Sequence, residues 1–222
     1  MSTLQQLIPN QLEQKIGESG IIAVLVIDNP DLAVPLAKTL FENGIQAMEL
    51  TLRTDTALES LRRICSEVPE MLAGVGTILS PMQISEAQSA GAAFGVAPGY
   101  NRDVVAAAAE IDFPFGPGIS TPSEIEGAVS QGCRVLKYFH AEGLGGTSYL
   151  KGINAPYGFL NLKYIPLGGL KKDNIRPYLE MPEILALGGS WIAPQKLIQQ
   201  RNWAEIGKNA VEAMKIFREV RG

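Results

Sequence analysis

Short apolar runs rich in β-branched residues recur along the chain, at residues 21–27, 47–52, 72–78, 92–97, 113–119, 135–139, 162–167 and 184–187. Runs of this length and content predict strands. The segments between them carry helical spacing or helix-start signals. Pro30-Asp31 opens a segment that ends at Asn43-Gly44, and Ser80-Pro81 opens one that ends at Ala90-Gly91. Thr121-Pro122-Ser123-Glu124 opens another that ends near Gly132. A first-turn proline needs no N–H partner, and a closing glycine tolerates the left-handed turn that stops a helix. In the last segment Trp203, Ile206, Ala210, Met214 and Phe217 share one helical face, and ahead of the first strand Leu4, Leu7, Ile8, Leu12 and Ile16 repeat at helical spacing.

Eight strand–helix units in 222 residues predict an α/β fold, a compact (β/α)8 TIM barrel preceded by a short N-terminal helix. No linker, charge block or low-complexity stretch divides the chain, so residues 1–222 are expected to form a single domain. An open doubly wound sheet is the other candidate, but no G-x-G-x-x-G turn follows the first strand.

Composition narrows the function. The net charge is −4 and basic residues do not cluster, which argues against nucleic-acid binding. Positive charge for an anionic ligand would have to be local to a cleft. Cys65 and Cys133 lie far apart and His140 is the only histidine, so a Cys/His metal site is not expected. Carbonyl chemistry would then have to activate its substrate without a metal. The N-terminal helical segment is interspersed with glutamine and glutamate, unlike a secretory signal, and no apolar run approaches the ~20 residues of a membrane span. A cytoplasmic location is expected.

Lys137 falls inside an apolar run, Arg134-Val-Leu-Lys-Tyr-Phe-His140. Desolvation disfavours an ammonium, so a lysine there snorkels from the strand end, pairs with a carboxylate, or performs a task. Schiff-base formation is the task that most needs such an amine. On the second strand Glu49, Thr51 and Arg53 alternate with Leu50 and Leu52. Period 2 puts the polar three on one face, and with the leucines toward the helices that face points into the barrel. They could form a structural ion pair. Beside an interior lysine, Arg53 could instead hold a carboxylate and Glu49 could shuttle a proton. Function in such barrels gathers at the C-terminal strand ends. There the chain places Gly74-Val-Gly-Thr77, Ala97-Pro-Gly99, Gly116-Pro-Gly-Ile-Ser-Thr121, Leu167-Gly-Gly169 and Leu187-Gly-Gly-Ser-Trp191. Glycines there serve tight turns or close approach to a ligand. The pairs after strands seven and eight could form an oxyanion pocket from backbone N–H groups.

The strings Glu-Leu-Thr-Leu-Arg-Thr, Gly-Val-Gly-Thr, Ala-Pro-Gly, Pro-Gly-Ile-Ser-Thr, Leu-Lys-Tyr-Phe and Gly-Gly-Ser-Trp, in this order, resemble the 2-keto-3-deoxy-6-phosphogluconate (KDPG) / 4-hydroxy-2-oxoglutarate (KHG) aldolase family. The resemblance implies a metal-independent class I aldolase, a lyase without cofactor, on a (β/α)8 barrel and assembled as a homotrimer. It implies that Lys137 forms the Schiff base, that Glu49 is the general acid/base, and that Arg53 and Thr77 hold the pyruvyl carboxylate. Pro98, Gly118, Ser120, Thr121, Phe139 and Leu167 would line the substrate pocket, and Gly168, Gly169, Gly189 and Ser190 would bind phosphate. Two positions depart from the family pattern. Leu167 stands where the family usually has threonine before Gly-Gly, which bears on C4 stereochemistry. His140 stands where it tends to have proline, as a tolerated loop change or as a contact to the phosphate or aldehyde portion.

The expected reaction is cleavage of KDPG, and of 4-hydroxy-2-oxoglutarate as a further substrate, to pyruvate and an aldehyde, glyceraldehyde 3-phosphate in the case of KDPG. The expected partner is therefore a small phosphorylated 2-oxo acid, with no nucleic acid or membrane. One alternative keeps the chemistry but takes the galactonate epimer or another 4-hydroxy-2-oxoacid. Another is a phosphosugar isomerase or synthase in which Lys137 only binds charge, and a third is a noncatalytic sugar-phosphate binder.

Overall fold

A computed structural model of the chain describes residues 6–222. Of the apolar positions expected in the leading helix, Leu4 lies outside the described residues. The strands are β1 (Ile21–Leu25), β2 (Ala47–Thr51), β3 (Leu72–Gly76), β4 (Phe94–Val96), β5 (Phe115–Gly116), β6 (Gly118–Ile119), β7 (Val135–Phe139), β8 (Lys163–Leu167) and β9 (Leu187–Gly189). Helices alternate with them: α1 (Asn10–Ser19), α2 (Ala33–Glu42), α3 (Ala57–Glu67), α4 (Pro81–Ser89), α5 (Arg102–Glu110), α6 (Pro122–Ser130), α7 (Gly146–Asn154), and short α8 (Arg176–Leu179) and α9 (Gln195–Gln199) before the long α10 (Trp203–Arg221). Leu7 and Ile8 precede α1. Among the described residues no helix is long and apolar enough to cross a membrane.

All named strand pairs are parallel, and the sheet curls into a barrel whose ladder is interrupted at two seams. One sheet runs β5-β4-β3-β2-β1-β9 and the other β6-β7-β8. The first seam is Pro117. Proline has no N–H to give a ladder, so the single strand expected over residues 113–119 becomes two short ones, although the Pro117 carbonyl still accepts from Lys137 N at 2.9 Å. At the second seam β8 meets the last run only through a bridge between Tyr164 and Ile184. The strand expected over residues 184–187 is displaced to Leu187–Gly189. Gly188 and Gly189 bring no strand propensity, yet their backbones align with Ile22 and Ala23 of β1.

Period-2 alternation divides the core into two. Ile21, Ala23 and Leu25 of β1, Met48 and Leu50 of β2, and Leu136 and Tyr138 of β7 face the helices. Ile22, Val24, Ala47, Phe94, Val96, Val135, Ile165 and Leu167 face inward, joined by Ile8 and Ile16 from the N-terminal segment. That segment therefore plugs the end where the strands begin. Fully burying each of these isoleucines contributes about 1.5–3 kcal/mol.

Candidate active site

The same inward-facing positions turn polar one step further along β2 and β7. Glu49 follows Ala47 and Lys137 follows Val135, each two residues on, and both are buried (2% and 5% exposed). Lys137 Nζ donates to Glu49 Oε1 at 2.9 Å. Two charges removed from water this far are stable only as a well-made pair, because desolvation costs several kcal/mol per ion. Lys137 Nζ also lies 5.7 Å from the centre of the Phe139 ring.

Glycine makes the room for this pair. Gly76 is aligned with Thr51 on the neighbouring strand, and a Cβ at residue 76 would fall 1.7 Å from Glu49 Oε1. No residue with a side chain fits there without moving the carboxylate. The next residue, Thr77, has φ 63°, a left-handed conformation that a β-branched residue rarely adopts and that recurs at functional sites. On the other side of Glu49, Thr51 Oγ1 donates to Leu25 O (3.0 Å) and accepts from Arg53 Nε (3.2 Å). Arg53 is thereby anchored at its Nε. Among the described residues its two terminal nitrogens make no hydrogen bond to protein.

These side chains open into a cavity of about 420 Å³ at the C-terminal ends of the strands, lined by Val24, Glu49, Thr51, Arg53, Thr77, Pro98, Lys137, Phe139, His140, Leu167, Gly168, Gly169, Gly188 and Ser190. Ten of the fourteen residues given a role by the family resemblance meet there: Glu49, Arg53, Thr77, Pro98, Lys137, Phe139, Leu167, Gly168, Gly169 and Ser190, together with Thr51 and His140. A second cavity of about 460 Å³, lined by Lys15, Gln46, Cys65, Met71 and others, lies at the opposite end of the strands, away from this pair.

Four expected positions are placed elsewhere. Gly118 is buried against the Pro98–Gly99 backbone, where a Cβ would come within 2.3 Å of the Pro98 carbonyl. Ser120 and Thr121 cap α6, their backbone N–H groups and hydroxyls all donating to Glu124 Oε2 at 2.8–2.9 Å. Tyr149 OH further ties Ser120 O at 2.8 Å. Gly189 faces Trp191, whose Nε1 would lie 2.4 Å from a Cβ at that site. Conversely, Val24 was not expected in the site, while Gly76 and Gly188 were noted only within glycine-rich strand ends, Gly188 as part of a possible oxyanion pocket. Gly74-Val-Gly76 did carry a signal, since two glycines at alternate positions beside a strand with an inward carboxylate mark where that carboxylate lies. Gly188 makes room for Leu167, whose Cγ would be 2.4 Å from a Cβ there.

A family model described as KDPG and KHG aldolase matches residues 12–209. The chain belongs to the KDPG/KHG aldolase family. It is 39% identical over 208 residues to the 2-dehydro-3-deoxy-phosphogluconate aldolase of Haemophilus influenzae, covering 94% of this chain and 97% of that one. Its fold superposes on the KDPG aldolase of Legionella pneumophila, with pyruvate captured at low pH as a covalent carbinolamine intermediate, at a TM-score of 0.85 and 34% identity, covering 90% and 96% of the two chains. The KDPG aldolase of Zymomonas mobilis with 3-phosphoglycerate superposes at a TM-score of 0.84 with 33% identity, covering 90% and 94%. Against the usual family pattern, this aldolase presents the buried side chain of Leu167 to the cavity where a threonine hydroxyl would stand.

Proposed function

We propose that the chain is a class I aldolase that cleaves 2-keto-3-deoxy-6-phosphogluconate to pyruvate and glyceraldehyde 3-phosphate. The observation that carries this reading is the buried Lys137–Glu49 pair, 2.9 Å apart on the wall of the cavity. Lys137 Nζ, as the free amine, adds to the C2 carbonyl, and loss of water gives an iminium. Glu49 takes the proton of the C4 hydroxyl as the C3–C4 bond breaks, and its electrons pass to the iminium nitrogen. The aldehyde leaves. Protonation of the enamine at C3 and hydrolysis then release pyruvate and restore the amine. Arg53 and Thr77 hold the pyruvyl carboxylate, the guanidinium offering its two unused terminal nitrogens. Gly168, Gly169 and Ser190 receive the phosphate, with Gly188 on the wall where Gly189 was expected.

Borohydride reduction in the presence of pyruvate tests the proposal. It should add one reduced pyruvyl group to Lys137, and an unmodified Lys137 would sink it. Leu167 supports a second reading of the substrate. With no hydroxyl at that point to read C4, the galactonate epimer should be cleaved as well, and comparing kcat/KM for the two epimers decides it. The charge of a phosphorylated sugar acid keeps it inside the cell, which supports a cytoplasmic location. The family resemblance supports a homotrimer, which light scattering on the purified chain would test.

A further inference from the structure

His140 is exposed on the wall of the cavity that holds Lys137 and Glu49, and the mechanism above makes no use of it. Its ring is held in place from three sides. Gly143 N donates to Nδ1 at 3.3 Å. Phe139 meets the ring edge-on, centroids 5.2 Å apart. Beneath it runs the Gly168–Gly169 turn, where a Cβ on Gly168 would lie 2.6 Å from His140 Cδ2 and Cγ, and one on Gly169 would lie 3.3 Å from Cε1. Both glycines have positive φ, 97° and 76°. The ring can lie against this turn because Gly168 carries no side chain, while a Cβ at residue 169 would first meet Glu142, at 2.7 Å.

An imidazole whose Nδ1 accepts a hydrogen bond keeps its N–H on Nε2. Nε2 makes no hydrogen bond to any of the described residues, so a fixed donor is left over on the wall of an anion-binding cavity. The Phe139 ring neighbours both residues, 5.7 Å from Lys137 Nζ and 5.2 Å from the His140 ring, and His140 packs on the Gly168–Gly169 turn, which the proposed function assigns to the phosphate.

We propose that His140 is a specificity-determining residue that donates from Nε2 to the phosphate monoester of the substrate. A proline at this position, the usual family residue, has no side-chain donor, so the contact is one this chain adds. The inference rests on the aldolase reading of the same cavity, and the donor–phosphate contact is its only new element.

The test compares kcat/KM for 2-keto-3-deoxy-6-phosphogluconate with that for 2-keto-3-deoxygluconate, which lacks the phosphate, in the wild type, His140→Phe and His140→Gln. Losing one hydrogen bond to a charged group should lower the preference for the phosphorylated substrate by about tenfold or more in His140→Phe. His140→Gln, which keeps a donor, should retain most of the preference. Borohydride trapping of pyruvate on each variant keeps the two readings apart, because it depends on Lys137 and not on phosphate. If the wild type fails to trap pyruvate, the aldolase reading fails. If all three proteins trap pyruvate and His140→Phe keeps the wild-type preference, the role given to His140 is overturned. Should His140→Phe fold poorly, inhibition by glyceraldehyde 3-phosphate in the wild type and His140→Gln against His140→Pro answers the same question. Weaker inhibition in His140→Pro alone is expected, and equal inhibition constants in all three would also overturn the role.

Discussion

Ala47 and Glu49 point into the barrel from one strand, and Val135 and Lys137 from another, each pair two residues apart. The first member of each pair belongs to the apolar plug completed by Ile8 and Ile16, and the second to the wall of the cavity. One end of the interior is thus packed and the other carries a buried ion pair on an open cavity, and the same period-2 alternation builds both. The packed end conditions the open one. The plug keeps water from reaching the ion pair from below, so the pair's electrostatics are set by protein groups on one side and by the substrate on the other.

The most severe challenge to this division of labour is at Lys137. Lys137→Arg keeps a positive charge but removes the amine proposed as the nucleophile, and pyruvate release should fall by ~10⁴-fold or more. Retained activity would mean that the amine only binds charge, as in an isomerase. Lys137→Met should cost the same activity and also destabilise the fold by about 3–5 kcal/mol, because it leaves Glu49 buried without a partner. Adding Glu49→Gln to Lys137→Met should recover most of that stability and none of the activity, as read by denaturant unfolding beside the pyruvate assay. Glu49→Gln alone comes next. It keeps the shape and removes the proposed base, so kcat should fall by about 10²–10⁴-fold, with KM changing less.

Most of this division can be read in the sequence, and the parts that cannot share a physical cause. The alternation of Glu49 and Thr51 with leucines, and a lysine inside an apolar run, state both the inward face and the odd amine on it. Helical spacing marks Leu12 and Ile16 of the N-terminal plug, whereas Leu7 and Ile8, expected in the same helix, precede it ahead of Pro9. What stays hidden is carried by backbone and by shared atoms. Gly188 and Gly189 pair as a strand without any side chain to say so. Pro117 splits a run whose apolar pattern is continuous. Ser120 and Thr121 look like pocket residues because they follow a strand, but their hydroxyls are engaged by Glu124, four and three residues further on. Gly76 announces flexibility, while its structural use is the absence of a Cβ beside a carboxylate on another strand. That depends on register, which no single strand contains.

The packed end can be perturbed on its own. Ile16 is fully buried in the plug, and Ile16→Ala should destabilise the protein by ~2–4 kcal/mol through lost contacts and a residual cavity. Chemical denaturation would read that loss directly. Below the unfolding transition kcat should stay close to wild type, since the substituted atoms lie at the other end of the barrel. A fall in kcat of the size expected for Glu49→Gln would show that the plug shapes the ion pair and does more than shield it.

The smallest effect is expected at the mouth, where polar residues serve two separate purposes. Burial pushes the Glu124 carboxyl up, but hydrogen bonds from the backbone and hydroxyls of Ser120 and Thr121 outweigh it and hold the group below its ordinary value of 4.5. A carboxylate lowered in the folded state stabilises the fold above its unfolded pKa, and that contribution is lost as the pH falls through the folded value. Glu124→Gln keeps the outline and one acceptor oxygen but not the charge, so at pH 7 it should cost about 1 kcal/mol, the usual size of a cap. The gap in Tm between wild type and variant should narrow as the pH drops below 4.5, and it should vanish once Glu124 is protonated in the folded protein too. Catalysis should not follow it. Ser120 and Thr121 are turned to the helix cap and not to the cavity, so kcat/KM for KDPG at pH 7 should match wild type. A loss there would return the β6–α6 turn to the substrate pocket, whereas a purely thermal effect would confine that pocket to the strand ends around Lys137.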